Sequence, residues 1–162
     1  MTVSAPVELD VPASLEAAFK EVIEMMFCMG VEGPLASAES EDFSVAGMIG
    51  LAGAQFRGLL QISCTQTCAR DLAAALLGGE EMLEDPAMVN DSMGELANML
   101  GGVVKQHIDT SGVSVEISLP SVLEGEFHLT GVGAENVERQ HYKVDGQPIL
   151  LTLNYCETDG NS

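Results

Sequence analysis

A carboxylate and a carboxamide, Glu95 and Asn98, stand three residues apart in a segment that has the pattern of an amphipathic helix. Side chains at positions i and i+3 of a helix are neighbours on its surface. Asp91 precedes Glu95 by about one turn and adds a second carboxylate. The group offers negative charge together with the hydrogen-bond donors and acceptor of a carboxamide. It could therefore bind and orient a partner molecule at the surface.

The apolar residues of the same segment repeat at the helical period and form one continuous stripe. They are Val89, Met93, Leu96, Leu100, Val103 and Val104. The side opposite this stripe holds Asp91, Glu95, Asn98, Gly102 and Lys105. We expect a helix over residues 87–109 that buries the stripe and presents the polar side to solvent.

Three glycines, Gly94, Gly101 and Gly102, are also assigned to the outer side of this helix. A glycine inside a helix costs roughly 0.5–1 kcal/mol relative to alanine. An ordinary solvated face would use Lys, Glu or Ala at such positions. The glycines indicate a surface kept bare so that another backbone can approach. We expect all three, with Asp91 and Lys105, to contact the partner.

The remaining elements predict an α+β domain with two long helices packed on a largely antiparallel sheet. Helical spacing covers residues 13–29 and 68–77, whereas 31–42 is polar and typical of turns. Strand patterns occur at 43–51, 55–64, 113–119, 122–129, 137–144 and 149–155. The pair Asp145-Gly146 is a strong hairpin signal. Strand-helix-strand alternation is absent, which disfavours a doubly wound fold.

A weak internal repeat relates the first and the central helix. A shift of 74 positions places Glu21 on Glu95 and Glu24 on Asn98. Each helix is followed by a polar gap and two strands, which favours a pseudo-twofold domain. We expect one domain over residues 1–162, with pseudo-repeats at about 13–64 and 87–155. Only the second half carries the carboxamide.

Composition limits the kinds of partner. The chain has 25 acidic and 6 basic residues, and its formal charge is −19. Nucleic acids and anionic membranes require a basic footprint, so both are disfavoured. The N-terminus lacks the pattern of a signal peptide, and no apolar run reaches the length of a membrane span. These features favour a cytoplasmic protein whose four cysteines are free thiols without a zinc-site spacing.

The pattern Asp91-x3-Glu95-x2-Asn98, followed by Pro120, resembles the signature of the CheC/CheX/FliY family of chemotaxis phosphatases. The flanking Leu-Gly-Gly and Ser-Leu-Pro-Ser-Val runs agree with it. CheC-type members carry the motif in both helices, whereas CheX-like members carry it once. Because position 24 is Glu, this chain carries it once and is most similar to CheX-like proteins.

The resemblance implies a protein phosphatase that hydrolyses the aspartyl phosphate of a CheY-type response regulator. Glu95 would contact the active-site lysine of the regulator, and Asn98 would hold a water in line with phosphorus. The magnesium ion would belong to the partner, and the chain would need no cofactor of its own. The resemblance also implies a homodimer, for which an apolar strand pair at 137–155 could supply a sheet edge.

Three alternatives stay open from the residues alone. Glu95 and Asn98 could be an ordinary polar face, since such pairs are common on helices. The chain could be a non-catalytic module that binds a response regulator or a flagellar-switch component. It could also be a metal-dependent hydrolase that uses Asp91, Glu95 and a distant His, although no nearby His completes a ligand set.

Overall fold

In the described part of the chain, an antiparallel sheet of seven strands carries the helices. The computed structural model describes residues 8–36, 43–127 and 134–158. The helices are α1 (Val11–Lys20), α2 (Gln66–Leu77) and α3 (Ala87–Thr110), with a π-helical turn at Glu21–Met26 and a 3₁₀ turn at Glu80–Met82. The strands are β1 (Val31–Leu35), β2 (Val45–Ala52), β3 (Phe56–Cys64), β4 (Glu116–Ile117), β5 (Ser121–Glu124), β6 (Asn136–Val144) and β7 (Gln147–Glu157). The predicted α+β class is confirmed.

The strand order is symmetric about the centre of the sheet. It runs β1, β6, β7, β3, β2, after which β4 and β5 pair with successive parts of β2. Exchanging β1, β2 and β3 with β5, β6 and β7 gives the same order in reverse. The first strand of each half therefore pairs with a strand of the other half: β1 pairs with β6, and β5 pairs with β2. This order agrees with the expected repeat, while the boundaries at 13–64 and 87–155 stay a prediction.

The helix α3 lies between α1 and α2 and packs on β2. Its predicted apolar stripe is buried as expected, with Met93 and Leu96 fully inaccessible to solvent. Phe19 of α1 stacks on Tyr142 of β6 with 4.2 Å between the ring centroids, which joins the first helix to the same core. The core therefore fixes α3 against the sheet along its whole inner face.

Local signals explain most element boundaries. The Asp10 side chain accepts a hydrogen bond from the Ala13 amide, and this cap starts α1 at Val11 instead of at residue 13. Thr65 caps α2, and Gly78 ends it in the left-handed conformation. The predicted turn at Asp145-Gly146 is confirmed, because both residues have positive φ and the flanking residues Val144 and Gln147 pair.

Several sequence predictions are corrected. Residues 31–42 were expected to be turn-like, but 31–35 form β1 and pair with β6. The predicted strands 113–119 and 122–129 shrink to β4 and β5, and residues 128–129 lie outside the described ranges. The helix 13–29 leaves α-geometry after Lys20.

The expected sheet edge at 137–155 is also only partly correct. The strand β7 is interior, because it pairs with β3 on one side and β6 on the other. The strand β6 pairs with β1 only from His141 to Val144 among the described residues. Within the described part of the chain, no helix has the length and apolar character to cross a bilayer.

Candidate functional site

The predicted polar side of α3 faces outward. Asp91 and Glu95 are exposed, and Asn98 and Gly102 are half-buried. We call Asp91, Glu95, Asn98 and Gly102 the outer ridge. A Cβ added at Gly102 would meet nothing within 4 Å, so this end of the ridge is open. The outer ridge lies at the surface of the protein, where a second protein can cover it.

The strand β2 brings α3 unusually close to the sheet at Gly47. A Cβ at position 47 would lie 2.6 Å from the carbonyl oxygen of Met93, inside any normal contact distance. Met93 lies one residue before Gly94 and five before Asn98 in the same helix. The height of the outer ridge above the sheet therefore depends on the absence of a side chain at Gly47.

Two of the three helix glycines do not lie where the sequence pattern placed them. Gly101 is buried, and a Cβ there would lie 2.9 Å from Cγ2 of Ile49 on β2. Gly94 is also buried, with its Cβ position 3.5 Å from Cγ2 of Val122 and 4.0 Å from Cγ of Pro120. The expected bare outer face is thus wrong for Gly94 and Gly101, which are both buried. At Gly101 the small size is needed for packing against Ile49, whereas a Cβ at Gly94 would make ordinary van der Waals contacts. Of the three, only Gly102 has open space.

The Gly94 contact places Pro120 beside the outer ridge. Pro120 follows a short segment held by Ser118, whose amide donates to Gly50 O at 2.9 Å and whose hydroxyl accepts from the Gly50 amide at 2.8 Å. Leu119, which lies between Ser118 and Pro120, has 89% of its surface exposed. Sequence reasoning missed Leu119, although an apolar residue directly before the motif proline was a usable signal.

Lys105 is engaged within the chain. Its ammonium donates to Asp109 Oδ2 at 2.9 Å and to Val115 O at 2.6 Å. The hydrogen bond to Asp109 raises the pKa of Lys105, and the same bond lowers the pKa of the Asp109 carboxyl. These contacts fasten the end of α3 to the segment before β4. The expected contact of Lys105 with a partner stays a prediction, and it would have to compete with these internal contacts.

The hydrolase alternative requires a cluster of metal ligands. The described ranges contain no group of three or more His, Cys, Asp or Glu side chains arranged to hold a metal ion. Of the three histidines, His128 lies outside those ranges. Asp91 and Glu95 therefore have no described histidine to complete a ligand set with them.

A family model described as Chemotaxis phosphatase CheX matches residues 45–138, which is more than half of the chain. The match includes α3, the outer ridge and Pro120. A comparison with curated protein sequences gave no significant match.

Solved structures share the fold over nearly the whole chain. The CheX protein of Vibrio vulnificus has a TM-score of 0.74 at 22% identity, covering 90% of this chain and 99% of that one. CheX of Desulfovibrio desulfuricans has a TM-score of 0.76 at 20% identity, with coverages of 91% and 99%. The CheX-CheY-BeF3-Mg complex from Borrelia burgdorferi gives 0.76 at 20% identity, with coverages of 93% and 100%.

At these identities the structural likeness shows a common fold. The resemblance drawn from the Asp91, Glu95 and Asn98 spacing is confirmed at the level of the family, because the family model matches the segment that carries this spacing. This chain belongs to the CheX family of chemotaxis phosphatases.

Proposed function

We propose that this protein hydrolyses the aspartyl phosphate of a CheY-type response regulator, with Glu95 docking the regulator and Asn98 positioning the attacking water. One observation carries the proposal. Glu95 and Asn98 are adjacent on the outer ridge of a helix that lies within the CheX family match. The solved CheX-CheY complex from Borrelia burgdorferi supports a CheY-like partner.

Hydrolysis of an aspartyl phosphate needs no strong base, and a site with a carboxamide is suited to it. An acyl phosphate is an activated compound, so its hydrolysis depends mainly on positioning and charge stabilisation. The Asn98 carboxamide can both accept a hydrogen bond from a water and donate one to an oxygen. It also stays neutral, whereas a carboxylate at position 98 would be repelled by the phosphoryl oxygens.

The metal ion in this scheme belongs to the partner. The Borrelia burgdorferi complex contains Mg²⁺ and BeF3 along with CheX and CheY. Magnesium in phosphoryl-transfer sites is held by one or two carboxylates and by the phosphate itself. We propose that the regulator supplies these ligands and that the outer ridge adds Glu95 and Asn98 from outside.

Glu95 supplies orientation through charge. Its exposed carboxylate can pair with a lysine that neighbours the phosphorylation site of the regulator. Contact with the regulator would exclude water from this pair and strengthen it relative to an exposed surface pair. Asp91, one turn away, and Gly102, at the open end of the ridge, are proposed to border the same contact.

We expect Glu95→Ala to weaken binding of a BeF3-loaded regulator roughly thirtyfold, because breaking one charged interface pair costs about 2 kcal/mol. Calorimetric titration of the regulator measures the effect. Glu21→Ala is the matched control, since Glu21 is an exposed glutamate at the start of the π-helical turn after α1, and the repeat aligns it with Glu95. Equal affinities for the wild type and Glu95→Ala would contradict the docking role.

A further inference from the structure

Leu119 stands out among the exposed apolar side chains. It is 89% exposed, more than Met25 at 74% and Val137 at 51%, which are among the other large exposed apolar residues in the described ranges. A leucine exposed to this degree contributes almost nothing to burial in its own fold. Single exposed apolar residues are common, so position and rigidity must decide whether this one has a role.

The backbone around Leu119 is held on both sides. Ser118 is tied to Gly50 of β2 through its amide and its hydroxyl, and that hydroxyl also lies 2.9 Å from Leu119 O. Pro120 packs toward Gly94 of α3, and Ser121 begins β5. The exposed leucine is therefore presented from a fixed position, which lowers the ordering cost of a contact with a partner.

Leu119 lies close enough to Asn98 for one partner protein to contact both. Pro120 is within 4.0 Å of the Cβ position of Gly94, which lies one helical turn before Asn98. Adding consecutive Cα spacing and one turn of helix puts Leu119 within roughly 17 Å of Asn98. A standard interface covers about 800 Å² per partner, a patch roughly 30 Å wide. A protein that covers the outer ridge and extends toward Pro120 can therefore contact Leu119 as well.

The acidic charge of the chain favours an apolar contribution to docking. The chain carries a formal charge of −19, and the outer ridge itself presents Asp91 and Glu95. A magnesium-dependent acyl-phosphate site is lined by carboxylates of its own. Apart from the Glu95 pair, long-range electrostatics between two such surfaces does not favour association, and short-range apolar burial is a source of affinity that this repulsion does not weaken.

We propose that Leu119 is an apolar docking residue that contacts the response regulator beside its phosphorylation site and adds to the affinity for it. This inference rests on the proposed function, because it names a further contact of the same interface. Leu119 touches no reacting atom in this scheme, so it acts on binding and leaves the hydrolytic step unchanged.

The test compares Leu119→Ser with wild type on a CheY-type response regulator. One arm uses phosphorylated regulator and separates KM from kcat, and the other measures the Kd of the BeF3-loaded regulator. We expect Leu119→Ser to raise both KM and Kd about tenfold, as expected for a leucine buried on binding, with kcat within twofold of wild type. Leu119→Met should retain wild-type values.

Val137→Ser is the matched control, because Val137 is an exposed apolar residue on β6, four strands from β5 and therefore about 19 Å away. Equal Kd values for Leu119→Ser and Val137→Ser would overturn the proposal, as would a fall in kcat at unchanged KM. Wild-type protein that binds but does not hydrolyse would remove the phosphatase function and leave Leu119 to be judged on Kd. Absence of wild-type binding would overturn both the proposed phosphatase function and the docking role of Leu119.

Discussion

Replacement of Asn98 by alanine is expected to lower the rate of regulator dephosphorylation by about a hundredfold, the usual effect of losing one positioning contact in a transition state. The carboxamide is half-buried on the outer ridge, so its loss leaves no cavity in the core. Binding of the regulator should change little, because Glu95 and the surrounding surface stay intact. The effect should therefore appear in kcat.

Asn98→Asp sharpens this test, because it keeps the size of the side chain and adds a negative charge. Repulsion from the phosphoryl oxygens predicts that this variant is no more active than Asn98→Ala. Gln106→Ala, which removes an exposed carboxamide from the same helix, is the control for nonspecific effects. Phosphate release at saturating regulator measures all three. Wild-type kcat in Asn98→Ala would exclude the water-positioning role.

Gly47→Ala is expected to lower the free energy of unfolding by about 2 kcal/mol, within the usual range for overpacking a core. The new Cβ would lie 2.6 Å from Met93 O and 3.2 Å from Cβ of Ala97. The clash with Met93 is with backbone, so no side-chain rotation relieves it. Either α3 or β2 must move, and the displacement reaches the outer ridge through Met93.

Gly102→Ala also replaces a glycine by alanine, but on the open side of α3. It should raise the free energy of unfolding by up to about 1 kcal/mol, because alanine is the better helix former and no atom lies within 4 Å. Urea denaturation of the two variants and wild type, compared at a common m-value, measures both shifts. Stability equal to wild type in Gly47→Ala would show that α3 does not rest on β2 as described.

The sequence was sufficient to predict the helix that carries the site. Its apolar residues repeat at 3.6 positions, and this periodicity determines which side is buried whatever the helix packs against. The exposure of Asp91 and Glu95 followed from the same pattern. The hairpin at Asp145-Gly146 was predictable because its geometry needs residues that tolerate positive φ.

The glycines show why local patterns were not enough elsewhere. A glycine in a helix is equally compatible with an open surface and with close packing, because it has no side chain to reveal a preference. Gly101 lies against Ile49, and Gly94 lies against Val122 and Pro120, contacts made by strands far away in the chain. Only the arrangement of β2 and β5 around α3 distinguishes these two from Gly102.

The internal contacts of Lys105 and the strand β1 were not predicted, for related reasons. The ammonium of Lys105 donates a hydrogen bond to Val115 O, a backbone atom whose position depends on the turn after α3. The strand β1 has the sequence Val-Glu-Gly-Pro-Leu, in which glycine and proline hide the alternation of a strand. It forms at the edge of the sheet because the side of β6 that faces away from β7 has backbone groups with which β1 can pair.

The central claim is tested most directly by the lifetime of a phosphorylated CheY-type regulator in the presence of wild-type protein at a tenth of its concentration. Each copy must then act more than once. The proposed function predicts that the loss of aspartyl phosphate accelerates at least tenfold and runs to completion, on the scale of catalysis by positioning. An unchanged lifetime, measured where titration shows the two proteins bound, would contradict it and identify a binding module.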